Sequence, residues 1–429
     1  MTVLQRRALW AIVTIGLLLR LGWVLYAQPV PPDTWYLAGD QFSYFHYGNE
    51  IARGRGYISY ITGEATAYYP IGYPALLGAL YFVVLHTPIT DDLMMATAIL
   101  HLLLSVASVW LMFVVGRAVA GVRTGLVAAG ILAMFPNVIF QVPTIQLETV
   151  FIFLVLASLA VIVTHDWANG PPGMRRLLAF GAALGASVLV RPFSAVLIVG
   201  LLAALLAVRV GRRRAIQLVA IPVGVVVLMS VPWTIRNAVQ LDSFVPSSTN
   251  MGDTLCIDRN LDAKGGFRFA DHDGCVDPSL PEVPRNRGNT RKAISFVLEH
   301  PERELLQIVR RARIMFDHDH DGLEAIQTLG GGPFLSERVV DWGGRAADWY
   351  FYAAVVLAVL GLPAFRERQR RAERFLALSG LVGLLVIPLL LWGNPRFHLP
   401  LAPFIALSAA MALLTGWDRI RPPATPAES

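Results

Sequence analysis

Apolar windows of roughly 16 to 25 residues, the length that crosses a hydrocarbon layer, recur along this chain and alternate with clusters of arginine. One such window can be the buried helix of a soluble core, but a whole series cannot. Composition agrees: 55% of the 429 residues are hydrophobic and 15% charged, against about 25% charged in a soluble domain. Mean hydropathy is +0.54. The pattern predicts an all-α integral membrane protein with spans near 8–27, 92–116, 124–141, 148–164, 177–190, 194–208, 215–233, 346–363, 375–392 and 399–416.

Net charge is +6, yet its placement argues against nucleic acid. Arg6 and Arg7, Arg117 and Arg123, Arg175 and Arg176, Arg209 and Arg212 to Arg214, Arg366 to Arg374, and Arg419 and Arg421 all fall between windows. On the cytoplasmic side they satisfy the positive-inside rule throughout, with both termini inside. The segment 72–86 is apolar but short, and counting it as a crossing would turn every later arginine cluster outward. It is therefore expected to lie along, or dip into, the outer face. Arg6 and Arg7 also suit a signal peptide, but the run continues through Trp23 and Tyr26 without a small-x-small site before Gln28. An uncleaved first span is expected.

Three blocks follow: 1–234 as a membrane module with a first outer loop 28–91, 235–345 as a large outer loop, and 346–429 as terminal spans and tail. The outer face gathers Asp33, Asp40, Glu50, Arg53, Arg55, Glu64, Tyr68, Tyr69 and Tyr73 from the first loop. Later turns add Gln141, Gln146 and Glu148, then Arg191, Arg236, Arg396 and His398. A carboxylate can take a hydroxyl proton and arginines can hold a phosphate, while tyrosines line a sugar. Polar groups at span ends are costly unless they face a cavity or partner.

The only cysteines, Cys256 and Cys275, fall in the large outer loop. An oxidising compartment favours a disulfide, with two free thiols as the alternative. FDHDHDG, 316–322, matches neither a helical HxxxH site nor a calcium loop; a solvated polar turn is expected, and no metal is assigned. Neither GxGxxG with a following acid nor GxxxxGK[ST] occurs. Outside the cytoplasm there is no nucleotide sugar, and a lipid-linked donor is the natural substitute.

Four blocks, in order, resemble the GT-C polyprenyl-phosphate-sugar glycosyltransferases, in the bacterial branch related to dolichyl-phosphate-mannose protein mannosyltransferases and the lipid A aminoarabinose transferase. They are GDQFSYFHYGNEIARGRGY with AYYPIGYPALLGALY, FPNVIFQVPTIQLETVFIF, VPWTIRNAVQLDSFVPSSTNMGDTLCIDRN and NPRFHLPLAPFIALSAA. The resemblance implies a GT-C-like bundle of about ten spans with outer juxtamembrane helices, working on the extracytoplasmic face of a bacterial plasma membrane. It implies an inverting transfer of a sugar from a polyprenyl-phosphate donor to an acceptor hydroxyl on a glycan, lipid or protein.

In that family Asp40 matches the catalytic base and Glu148 the second acidic position. Arg53, Arg55, Tyr68, Tyr69 and Tyr73 fall where the donor and phosphate pocket is shaped, and Arg191, Arg236, Arg396 and His398 join the donor-binding candidates. Two departures stand out: Gln41 stands where many relatives have a second acid after Asp40, which leaves a divalent metal cofactor only weakly supported, and Leu147 stands where many have a small hydroxyl residue before Glu148. Read without the family, Asp40 also suits a helix N-cap. A polysaccharide polymerase or ligase, or a transporter of a lipid-linked glycan, shares the hydropathy. The transporter is disfavoured by the apparent lack of a charge deep within a span and of internal repeats.

Overall fold

The computed structural model describes residues 1–27, 39–88, 90–267, 275, 280–327 and 335–420; Asp33 of the first loop lies outside them. Helices α1 (Val3–Ala27), α2 (Gly39–Ala52), α3 (Gly72–Leu85) and α4 (Leu93–Ala120) come first. Then follow α5 (Val122–Ala133), α6 (Pro136–Phe140), α7 (Glu148–Val163) and α8 (Met174–Val190). α9 (Val196–Ala207) and α10 (Arg212–Gln240) lead into the large loop, which carries α11 (Met251–Cys256), α12 (Glu282–Glu299), α13 (Pro301–Met315) and α14 (Asp321–Gln327). α15 (Glu337–Gly361), α16 (Arg371–Leu389) and α17 (Ala402–Ile420) complete the chain. Among the described residues there is no strand, only two isolated bridges.

Six segments are long and apolar enough to cross a membrane: α1, α4, α10, α15 with its extension to Arg366, α16, and Pro395–Ile420 ending in α17. Their outward side chains are apolar as well; Leu228, Val239 and Trp349 are each about 70% exposed or more. A water-facing surface does not present such rows. This is a membrane protein. The expected spans 124–141, 148–164, 177–190 and 194–208 coincide with shorter helices. At 1.5 Å per residue the 16-residue α7 reaches about 24 Å, less than the roughly 30 Å hydrocarbon core.

The window 124–141 is broken by its own sequence. Pro136 forces Phe135 into an extended conformation, so α5 stops at Ala133 and the short α6 begins. The break leaves carbonyls without helical partners, and Arg20 takes them. Its guanidinium donates to Ala133 O at 2.8 Å, Leu132 O at 3.2 Å and Gly16 O at 3.0 Å, and to Ser105 Oγ at 2.7 Å. Arg20 is fully buried within α1, so the sequence reading that no charge lies deep in a span is corrected. The charge is there as a cap for a broken helix.

The core runs through α4, α5, α7, α8, α9, α16 and α17, which pack as a bundle. α2 and α3 lie against each other across its end, with Tyr44, Tyr47, Tyr73, Leu77 and Tyr81 buried between helices. The large loop is fastened to that same end. Asp258, Arg259, Glu304 and Arg311 form a buried ion network, and Arg311 and Arg259 also donate to the last carbonyls of α16, Leu389 O and Leu390 O. Cys256 and Cys275 are joined, with Cα atoms 5.7 Å apart. Glu282 of α12 accepts from Thr66 Oγ1, Ala67 N and Thr249 Oγ1, tying the large loop to the first.

Candidate active site

Four chain segments end at one place. Gly39, at φ +54°, takes the left-handed conformation that an L side chain resists, and sets Asp40 in the first turn of α2. Glu148 is the first residue of α7, where the helix dipole favours a carboxylate. Arg191 precedes Pro192, which holds it extended and ends α8. Asn394 caps the turn before α17 by accepting from Arg396 N at 2.8 Å. Gly72 lets the start of α3 touch α8: a Cβ there would sit 2.5 Å from Leu189 C.

The result is a chain of alternating charge. Arg396 Nη2 lies 2.5 Å from Asp40 Oδ2, and its Nε lies 3.1 Å from Glu148 Oε1. Arg191 Nη2 donates to the same Glu148 oxygen at 3.0 Å. Tyr69 donates its hydroxyl to Asp40 Oδ1 at 2.6 Å. Two carboxylates and two guanidiniums cancel, which makes their burial tolerable; removing one member of such a set typically costs about 3–5 kcal/mol.

Access differs along the chain. The side chain of Asp40 is 27% exposed, those of Arg396 and Arg191 are 15% and 10%, and Glu148 is sealed at 0%. Asp40 is thus the acid that an incoming molecule can meet. Burial pushes its carboxyl up, but Arg396 and the Tyr69 hydroxyl more than offset this and hold it below the ordinary carboxylate value. Burial and the Asp40 charge hold Tyr69 well above the usual phenol range, so it stays a donor.

Arg191 sits over the rings of Phe151, Phe193 and Phe397, 5.5 to 5.7 Å from their centroids. Its Nη1 is buried without a partner, as is Glu148 Oε2. This aromatic box was missed in the sequence. Its signal is proximity: Phe151 follows Glu148 by one helical turn, Phe193 is two residues after Arg191, and Phe397 adjoins Arg396. Tyr44 was missed too; its ring packs on Tyr69 and Tyr73 at 5.1 and 5.0 Å.

Other candidates stand apart from this chain. Arg53 bonds Asn49 on an exposed helix end, and Arg55 pairs with Glu50. Arg236 is taken up by the carbonyls of Tyr57 and Thr66, where it holds the first loop in shape. Tyr73 meets His101 Nε2 at 3.2 Å, and Tyr68 stacks edge-on against Tyr69 with Arg285 over its ring. His398 bonds Asp319 Oδ1 at 2.8 Å and Met315 O at 2.6 Å. The FDHDHDG turn is not the solvated turn expected. Asp319 is fully buried, because His398 and Asn137 both bind it.

A cavity of about 600 Å³, walled by Leu76, Leu100, Leu104, Val150, Phe153 and Trp233, lies between α3, α4, α7, α8 and α10. Val150 and Val190 bring its lining within two residues of Glu148 and Arg191. A smaller cavity of about 230 Å³ lies in the large loop near Leu255 and Val297.

Residues 74–235 match the family model described as dolichyl-phosphate-mannose-protein mannosyltransferase. No curated protein matches the chain in sequence. In fold, the apo oligosaccharyltransferase of Archaeoglobus fulgidus aligns with TM-score 0.53 at 16% identity, over 96% of this chain and 51% of its own. The Archaeoglobus fulgidus oligosaccharyltransferase AglB, in complex with an inhibitory peptide and a dolichol-phosphate, gives 0.52 at 16% identity, over 98% and 51%. ArnT from Cupriavidus metallidurans bound to undecaprenyl phosphate gives 0.40 at 16%, over 97% and 81%. The chain spans about half the length of the archaeal structures. It shares the fold of the Archaeoglobus fulgidus oligosaccharyltransferase, and over 74–235 its sequence is similar to the dolichyl-phosphate-mannose-protein mannosyltransferase family.

Proposed function

We propose that the protein is an inverting glycosyltransferase that moves a sugar from a polyprenyl-phosphate donor to an acceptor hydroxyl at the outer face of a bacterial plasma membrane. The observation that carries this reading is a buried guanidinium nitrogen without a partner, Arg191 Nη1, on the residue that follows Val190 of the apolar cavity's wall. A lipid phosphate satisfies both, its tail in the cavity and its oxygens on Arg191 and Arg396. The Archaeoglobus and Cupriavidus proteins, solved with dolichol-phosphate and undecaprenyl phosphate, bind ligands of that chemical kind.

In the reaction the acceptor oxygen attacks the anomeric carbon while the bond from that carbon to the phosphate oxygen breaks. The hydroxyl proton passes to Asp40, and the departing polyprenyl phosphate keeps the bond electrons, stabilised by the two arginines. Each guanidinium that turns toward phosphate loosens its hold on a carboxylate. Donor binding thus weakens the Arg396 pair that keeps Asp40 a poor base, and Asp40 becomes more basic when the acceptor arrives. Glu148, sealed from solvent, serves as counter-ion to both arginines, not as the base.

Binding of polyprenyl phosphate to the purified protein in detergent tests this reading. Arg191→Ala is expected to weaken binding at least tenfold, with Arg53→Ala unchanged. Equal affinity in wild type and Arg191→Ala contradicts it.

A further inference from the structure

A second polar cluster lies in the large loop, outside the Asp40 site. One ring nitrogen each from His318 and His320 and a carboxylate oxygen of Glu324 lie within 4.8 Å of one another. His320 Nε2 is 3.6 Å from Glu324 Oε1, and His318 Nε2 is 4.0 Å from Glu324 Oε2 and 3.9 Å from Asp321 Oδ1. Ligand atoms around a tetrahedral zinc-sized ion stand about 3.3 Å apart, so the three side chains must draw together, by up to about 1.5 Å for a pair at the 4.8 Å limit. The far ring nitrogens are already engaged. His320 Nδ1 is 2.9 Å from Asp348 Oδ1 and His318 Nδ1 is 3.4 Å from Asp317 Oδ2. A carboxylate behind each imidazole orients histidines for metal binding. Two buried atoms of these side chains, His318 Nε2 and Asp321 Oδ2, have no hydrogen-bond partner.

We propose that His318, His320 and Glu324 bind one divalent cation of the zinc class, with Asp321 or water as fourth ligand. Two imidazoles select zinc and its transition-metal neighbours over calcium or magnesium, which prefer all-oxygen shells. The ion is structural. It cross-links the turn 317–320 to α14, and α14 holds the Asp40 helix through the bond from Gln41 Nε2 to Ala325 O at 3.1 Å. Asp348 on α15 also accepts from Asp319 N at 2.7 Å, so the same carboxylate braces the turn and orients the ligand.

The test uses the full-length protein in detergent, free of any histidine tag, stripped with chelator and titrated with Co²⁺ and then Zn²⁺. One Co²⁺ per chain with the visible absorption of a four-coordinate N/O site, displaced by Zn²⁺, is expected. His320→Ala should abolish it, and Asp348→Asn should weaken it about 10- to 100-fold. Hydrogen exchange of residues 317–326 should slow on adding Zn²⁺. No stoichiometric Co²⁺ spectrum in the wild-type protein, whatever the variants do, overturns the proposal and leaves the cluster as an ion-pair network. A spectrum that survives in folded His320→Ala overturns it equally.

Discussion

At the scale of single residues, the proposed mechanism has Arg396 exchange Asp40 for the donor phosphate, which turns a poor base into a useful one. In the resting protein Asp40 lies below the ordinary carboxylate value of about 3.9, because Arg396 and Tyr69 outweigh its burial. The pH dependence of kcat/KM reports the free enzyme and that of kcat the donor complex. The acid limb of kcat/KM due to Asp40 is therefore expected below about pH 4, with the limb of kcat at higher pH. Coincident limbs would show that donor binding leaves the Asp40–Arg396 pair intact. The sequence made Asp40, Glu148, Arg191 and Arg396 legible, since charges at span ends need a reason. It did not reveal which arginines were already in use. Arg55, Arg236 and Arg191 look alike in the sequence, yet Glu50 and two carbonyls occupy the first two, while Arg191 keeps a free nitrogen.

At the scale of elements, periodicity and proline set most helix limits, and the misread places have local causes. The window 124–141 is continuous in hydropathy, but Pro136 breaks it, and the carbonyls it frees explain a buried Arg20 that hydropathy alone hides. The FDHDHDG turn looks solvated in the sequence because nothing local announces that His398, 79 residues later, binds Asp319. The Cys256–Cys275 bridge closes a loop with a sequence separation of 19. The chain-entropy account gives about 3 kcal/mol for a loop of this size. Replacing both cysteines by serine should lower the melting temperature of the large loop while leaving chemistry at Asp40 largely in place. A membrane-impermeant maleimide should label the unreduced native protein little; efficient labelling would mean free thiols.

At the scale of the whole molecule, the arrangement depends on one face carrying both loops. The large loop grips the end of α16 through Arg259 and Arg311, and the first loop through Glu282, so both must share a side with Asp40 and Arg396. Reporters fused after Arg214 and Arg371 should therefore read cytoplasmic, and one fused near Asn289 should read external. A cytoplasmic signal at Asn289 would mean that α3 crosses the membrane. The central claim, transfer from a lipid-phosphate sugar with Asp40 as base, is tested most directly in cells whose only copy of this chain carries Asp40→Asn. Mass spectrometry of their extracted membrane lipids and envelope glycans should find the polyprenyl-phosphate sugar accumulated and one glycan substituent lost, at normal levels of membrane-inserted protein. Lipids and glycans indistinguishable from wild type in those cells would contradict it.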